Sequence, residues 1–206
     1  MFSLDIVTIL LTLPGILLAL TIHEFSHAYS AYLLGDDTAK YYGRLTLNPL
    51  AHIDLVGFLM LIFFRFGWAK PVPINPKNFS DRRKGYFLVS IAGPLSNIVL
   101  AILSTFFFAL AIRLALSEFI HTMLYFSIFI NLVLAVFNLF PIPPLDGSKI
   151  LLSILPSSFE ETYYRLQKYT YILLFLLVYF RVINRVLFPI VQYLLNLLLG
   201  FVMYLV

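Results

Sequence analysis

His23, Glu24 and His27 stand together in the stretch HEFSH. Two histidines four positions apart lie one turn above each other on one face of a helix. Both imidazoles can then ligate one zinc ion, while the glutamate is placed to act on zinc-bound water. Zinc lowers the pKa of that water to about 7, so hydroxide is available at neutral pH. Glu24 would take the proton and later deliver it to the leaving amine. A catalytic zinc site needs three protein ligands and an open fourth position. His121 falls in a predicted outer loop, on the wrong side of the membrane from the pair. Asp146 is the better candidate. It lies in NLFPIPPLDG, residues 138–147, where Pro141, Pro143 and Pro144 stop an apolar span from finishing as helix. Unpaired backbone at membrane depth is tolerated only where it lines a cavity or is buried in protein. His52, in NPLAHIDLVG, is the alternative ligand, although its setting better suits a residue that fixes loop structure.

The elements that must position these groups are apolar. The chain is 61% hydrophobic and 12% charged, whereas a soluble domain is about half apolar and a quarter charged. It therefore reads as an all-α polytopic membrane protein, with no long polar stretch for a separate soluble domain. An ionisable group near the bilayer centre costs at least about 2.5 kcal/mol, so three on one turn argue against chance placement. There are no cysteines, which excludes disulfides, thiolate metal sites and a cysteine nucleophile. Nothing suggests nucleic acid.

A spanning helix needs about 20 mostly apolar residues. Residues 4–34, 86–112, 122–140 and 186–203 qualify or nearly do. Residues 55–66 and 169–180 are apolar but short, giving about four to six membrane segments in all. The N-terminus lacks a basic leader and a small-residue cleavage site, so it reads as a retained anchor. The linker 65–84 carries Arg65, Lys70, Lys77, Arg82, Arg83 and Lys84 against Asp81 alone. Basic loops favour the cytoplasmic side, and the charge-poor connection 113–121 belongs outside. The N-terminus, where Asp5 is the one charged side chain before His23, then also lies outside. GWAKPVPINP in the linker favours extended backbone, and GRLTLNPL, residues 43–50, alternates like a short strand. Short extended or re-entrant segments are expected at the cytoplasmic face.

HEFSH together with NLFPIPPLDG resembles the site-2 protease family (peptidase M50), the zinc intramembrane metalloproteases. GRLTLNPLAHID, FGWAKPVPINP and AGPLSN resemble its small bacterial members. The resemblance covers residues 18–150. It implies one Zn2+ per chain held by His23, His27 and Asp146, with Glu24 as catalytic acid/base. It also implies that Asn138 and Asn97 help hold the substrate or the reacting carbonyl. The implied activity is endopeptidase cleavage of transmembrane segments of membrane proteins, in a multi-pass cell-membrane protein whose site opens to the cytoplasm. Larger relatives carry a PDZ or CBS domain. Here the connection 113–121 is too short for the first, and the chain ends in an apolar segment. The expected organisation is one integral-membrane metalloprotease domain over 1–206, with a catalytic core of about 4–150 and C-terminal membrane segments at about 169–206.

Competing chemistries fail on residues. The serine motif of rhomboid-like enzymes is absent, and LGDD at 34–37 does not match the presenilin-like aspartate motif. EETYYR, 160–165, fits a prenyl-protein endopeptidase pattern, but no histidine follows His121, so it reads as a solvated helix face. A catalytically silent membrane chaperone or metal-handling protein is the alternative from another class. Metal transport needs no base beside the water, and a transporter would show paired repeats.

Overall fold

The computed structural model describes residues 6–64, 67–156, 158–180 and 182–205. Asp5, Arg65 and Arg181 lie outside the described residues. Among those described there are nine helices: α1 (Ile6–Leu33), α2 (Thr38–Tyr41), α3 (Pro49–His52), α4 (Leu55–Phe64), α5 (Arg82–Arg113), α6 (Glu118–Asn138), α7 (Asp146–Ile154), α8 (Ser158–Tyr179) and α9 (Val182–Leu205). No strand occurs among the described residues. The fold is all-α, as the apolar composition predicts. Four helices, α1, α5, α6 and α9, are long and apolar enough to cross a membrane, and the chain is a membrane protein. α4 has 10 residues, about 15 Å of helix, and is too short to span the roughly 30 Å hydrocarbon layer. The apolar run 169–180 forms the second half of α8, which ends at Tyr179.

Helices in lipid approach closely through small residues, since apolar surface alone does not drive their association. α5 shows this plainly: Gly85, Ser90, Gly93, Asn97, Ala101, Ser104 and Thr105 are buried. Ser104 and Ser127 share a hydroxyl hydrogen bond of 2.9 Å between α5 and α6. Gly15 brings α1 onto α6, where a Cβ would stand 3.2 Å from the Ser127 Cα. α9 packs on α6 in a core cluster where Ile183, Leu187, Val191 and Leu195 join Ile128, Leu132 and Val136. α5 begins where the Asp81 side chain accepts from the Arg83 and Lys84 amides, both at 3.0 Å, which satisfies two of its orphan donors.

The expected strand over 43–50 does not form. Asn48 caps α3 by accepting from the Leu50 amide, with Pro49 at the first helical position, and these two residues turn the chain into helix. The extended pairing is reduced to one antiparallel bridge, Ile53 to Ala69, with the Lys70 amide donating to His52 O at 2.9 Å. The linker is tied to the end of α1 by buried Asp36. Its carboxylate accepts from the Thr38 amide and hydroxyl, the Asn75 amide and the Asn78 side chain. His121 lies in the first turn of α6, packed edge-to-face on Phe108, and not in a loop.

Candidate active site

α1 carries His23 and His27, and their rings meet Asp146 at the start of α7. His23 Nε2 and His27 Nε2 are 3.0 Å apart, and each lies 3.1 Å from Asp146 Oδ2. All three side chains are buried. The opposite edge of each ring is held by α5. His27 Nδ1 faces the Val89 carbonyl at 2.7 Å, and His23 Nδ1 faces Asn97 Oδ1 at 2.6 Å. A carbonyl can only accept, so His27 Nδ1 carries the proton. The Asn97 amide nitrogen donates to Ala19 O and Asn131 Oδ1, so its oxygen must be the group turned to His23. That ring is therefore protonated at Nδ1 as well.

The consequence is electrostatic. With protons at Nδ1, each imidazole in its neutral form presents a lone pair at Nε2, and these point with a carboxylate oxygen at one small space. Three such acceptors 3.0–3.1 Å apart repel unless a proton or a metal cation lies among them. Zinc bonds of 2.0–2.1 Å at tetrahedral angles would set ligand atoms about 3.3 Å apart, so the triangle needs only a slight expansion. Carbonyl or amide partners behind metal-binding histidines fix tautomer and orientation in this way. His23, His27 and Asp146 are one group able to hold a metal ion.

Local sequence explains the geometry. Val89, Gly93 and Asn97 are four apart and form one stripe of α5. Gly93 lies between the rings: a Cβ there would be 2.7 Å from His23 Cε1 and would overlap the His27 ring. Gly147 does the same for Asp146, since a Cβ would overlap the Leu139 backbone. α7 can therefore pack its first turn against the end of α6. Ile142 and Leu145 close the proline-rich turn with amide bonds to Phe140 O and Ile142 O. Lys149, one turn into α7, donates to Asp146 Oδ1 at 3.0 Å, leaving Oδ2 for the histidines.

A cavity of about 680 Å³ opens beside the triangle, lined in part by Glu24, Asn138, Pro144, Lys149 and linker residues 67–69. Glu24 Oε2 accepts from the Val72 amide at 2.9 Å. Asn138 lines the cavity and uses one amide hydrogen on Leu134 O. Asn97 is fully buried behind His23. His52 is apart from the triangle: its ring is buried and bonded to Thr46 O at 2.8 Å. The Val89 carbonyl, Gly93, Val72 and Lys149 were not singled out from sequence.

A sequence profile described as peptidase family M50 matches residues 11–180. A Bacillus subtilis (strain 168) relative, provisionally named zinc metalloprotease YwhC, is 42% identical over 168 residues, covering 79% of this chain and 77% of the relative. A Mycolicibacterium smegmatis relative, provisionally named zinc metalloprotease Rip2, is 34% identical over 148 residues, or 67% of this chain and 54% of the relative. The Methanocaldococcus jannaschii protein MJ0611, provisionally named in the same way, is 33% identical over 99 residues, covering 47% and 49%. No solved structure gives a significant match. The matched region begins within α1, ahead of both histidines, and runs to the end of α8, and the chain belongs to peptidase family M50 as a membrane protease.

Proposed function

We propose that the protein is a zinc-dependent intramembrane endopeptidase that cleaves transmembrane segments of other membrane proteins. The observation that carries this reading is the triangle of His23 Nε2, His27 Nε2 and Asp146 Oδ2 beside a cavity that Glu24 also lines. Histidine and carboxylate donors suit zinc, and the relatives' names agree. Zinc held by His23, His27 and Asp146 supplies a Lewis acid that acidifies water and polarises a carbonyl.

The remaining steps belong to the chain's own residues. Glu24 takes the water proton at Oε1 and returns it to the leaving amine, while the Val72 amide holds Oε2. Asn97 and the Val89 carbonyl keep the two imidazoles in the tautomer that leaves Nε2 free. Asn97 thus serves His23 rather than the substrate. Asn138, whose second amide hydrogen has no acceptor among the described residues, donates to the scissile carbonyl. A substrate helix hides its amides in its own hydrogen bonds, so it must unwind before attack. The extended linker lines the cavity with Gly67, Trp68, Ala69, Pro71, Val72 and Ile74, where the unwound strand would lie. One domain of this kind spans the chain, with α9 packed on α6 outside the catalytic core. The basic linker and the cavity mouth face the cytoplasm.

Glu24→Gln tests the central assignment. Peptide cleavage should be lost while zinc remains bound, because the carboxylate acts on water and not on the metal. Zinc content and proteolysis of the purified variant decide it: retained cleavage sinks the acid/base role, and lost zinc moves Glu24 into the ligand set.

A further inference from the structure

The triplet Pro71, Val72, Pro73 contains a single amide N–H, because proline has none. That one donor is bonded to Glu24. The two carbonyls just before it both accept from one guanidinium. Arg44 Nη2 donates to Lys70 O at 2.5 Å, and Nη1 donates to Pro71 O at 3.3 Å. Arg44 is 7% exposed, and among the described residues no carboxylate forms an ion pair with it. Its Nε has no acceptor among the described residues. Burial pulls its pKa below the ordinary arginine value, and the negative charge of Glu24 opposes that pull. His52 stands behind it: Nε2 donates to Thr46 O, which leaves Nδ1 turned to Arg44 Nη2 at 3.5 Å. A buried cation without an ion pair is unfavourable, so packing alone does not account for it.

We propose that Arg44 is a positioning residue for Glu24, clamping the Lys70 and Pro71 carbonyls so that the Val72 N–H fixes the Glu24 carboxylate. The inference rests on the acid/base reading of Glu24. Arginine suits the task because its planar fork reaches two acceptors at once, which a lysine ammonium on a flexible stem does not reproduce. Two prolines around the donor confine the segment to extended backbone. The strap is thereby stiff where it meets the carboxylate and anchored one residue earlier.

The test uses the full chain, zinc-loaded in detergent, with Arg44→Met, Val72→Pro, Val72→Ala and the double variant Arg44→Met/Val72→Pro. Val72→Pro deletes the N–H, and Val72→Ala keeps it while trimming the same side chain. Misplacing a catalytic group by about 1 Å can lose roughly 100-fold in rate. Val72→Pro and Arg44→Met should each lower kcat about 10- to 100-fold, with zinc content, melting temperature and KM near parental. Val72→Ala should stay at least about tenfold faster than Val72→Pro, because the hydrogen bond survives. The double variant should fall no further than the slower single one, since both act through one contact. Parental kcat in Val72→Pro, multiplicative losses in the double variant, or loss of zinc would each overturn the proposal. Glu24→Gln is measured beside them. Retained cleavage there overturns the acid/base reading itself, whereas its loss with parental kcat in Val72→Pro overturns only the positioning role.

Discussion

Replacing Asn97 by alanine separates two roles that differ in what they touch. The side chain is fully buried and makes three contacts: to His23 Nδ1 at 2.6 Å, to Ala19 O at 3.1 Å and to Asn131 Oδ1 at 2.9 Å. Loss of the first frees the His23 ring to rotate and to change tautomer. Removing such a partner typically weakens metal binding 10- to 100-fold, roughly 1.4 to 2.8 kcal/mol. Loss of the third leaves a buried amide oxygen without its donor, which costs about 1–3 kcal/mol of stability. That second cost falls on metal-free and metal-bound protein alike. The affinity change is therefore measured separately, by chelator competition at fixed pH, from the melting temperature of the metal-free protein. The expected result is zinc affinity at least tenfold weaker together with a lower melting temperature, and a KM near parental once zinc is saturating. Zinc affinity within twofold of the parent, with a raised KM, would refute the reasoning and give Asn97 the substrate-holding role that the family resemblance implies.

Asp146→Ala should empty the metal site, whereas His52→Ala should leave zinc content near normal and loosen the linker. Metal analysis with limited proteolysis reads both, and the reverse pattern would mean the ligand set is wrong. Burial raises the Asp36 carboxyl pKa, but hydrogen bonds from Thr38, Asn75 and Asn78 outweigh it and hold it below the ordinary value. A group with a depressed folded pKa stabilises above its unfolded pKa, near 3.9, and loses that contribution as pH falls through the folded one. Amide-exchange protection over 70–80 should therefore decline below about pH 4, and Asp36→Asn should flatten that profile. An unchanged profile in the variant would remove Asp36 from the account. The chain has no native thiols, so single cysteines report sidedness with an impermeant maleimide. Ser117→Cys should label in intact cells and Ser80→Cys only after the membrane is opened; the opposite result inverts the protein.

The candidate metal group was legible because its chemistry is carried by side chains of rare type in an apolar setting. His23, Glu24 and His27 share one turn, and Asp146 follows three prolines that no spanning helix would keep without reason. The long spans were legible because twenty apolar residues have few other uses. What holds the site was not. The Val89 carbonyl is a backbone group, and any residue there would supply it; valine carries no signal. Gly93 matters for what it lacks, which becomes visible only once two rings are packed on it. The stretch 43–50 misled because alternation is a weak signal over eight residues, while a capping asparagine followed by proline is a strong local one. The single N–H between Pro71 and Pro73 was readable in principle, but only its contact with Glu24 gives it a meaning.

The two halves of the ligand set are far apart in the chain: 119 residues separate His27 from Asp146. At synthesis rates of 5–20 residues per second, the histidine pair precedes its third partner by roughly 6 to 24 s. During that interval the nascent chain carries His23, Glu24 and His27 without Asp146. Two imidazoles alone make a poor trap for metal. Proteolytic competence therefore arrives late in biogenesis, after α5 and α6 have been made and the bundle can close. On the proposed mechanism, an interrupted polypeptide lacks the third ligand and should be inert.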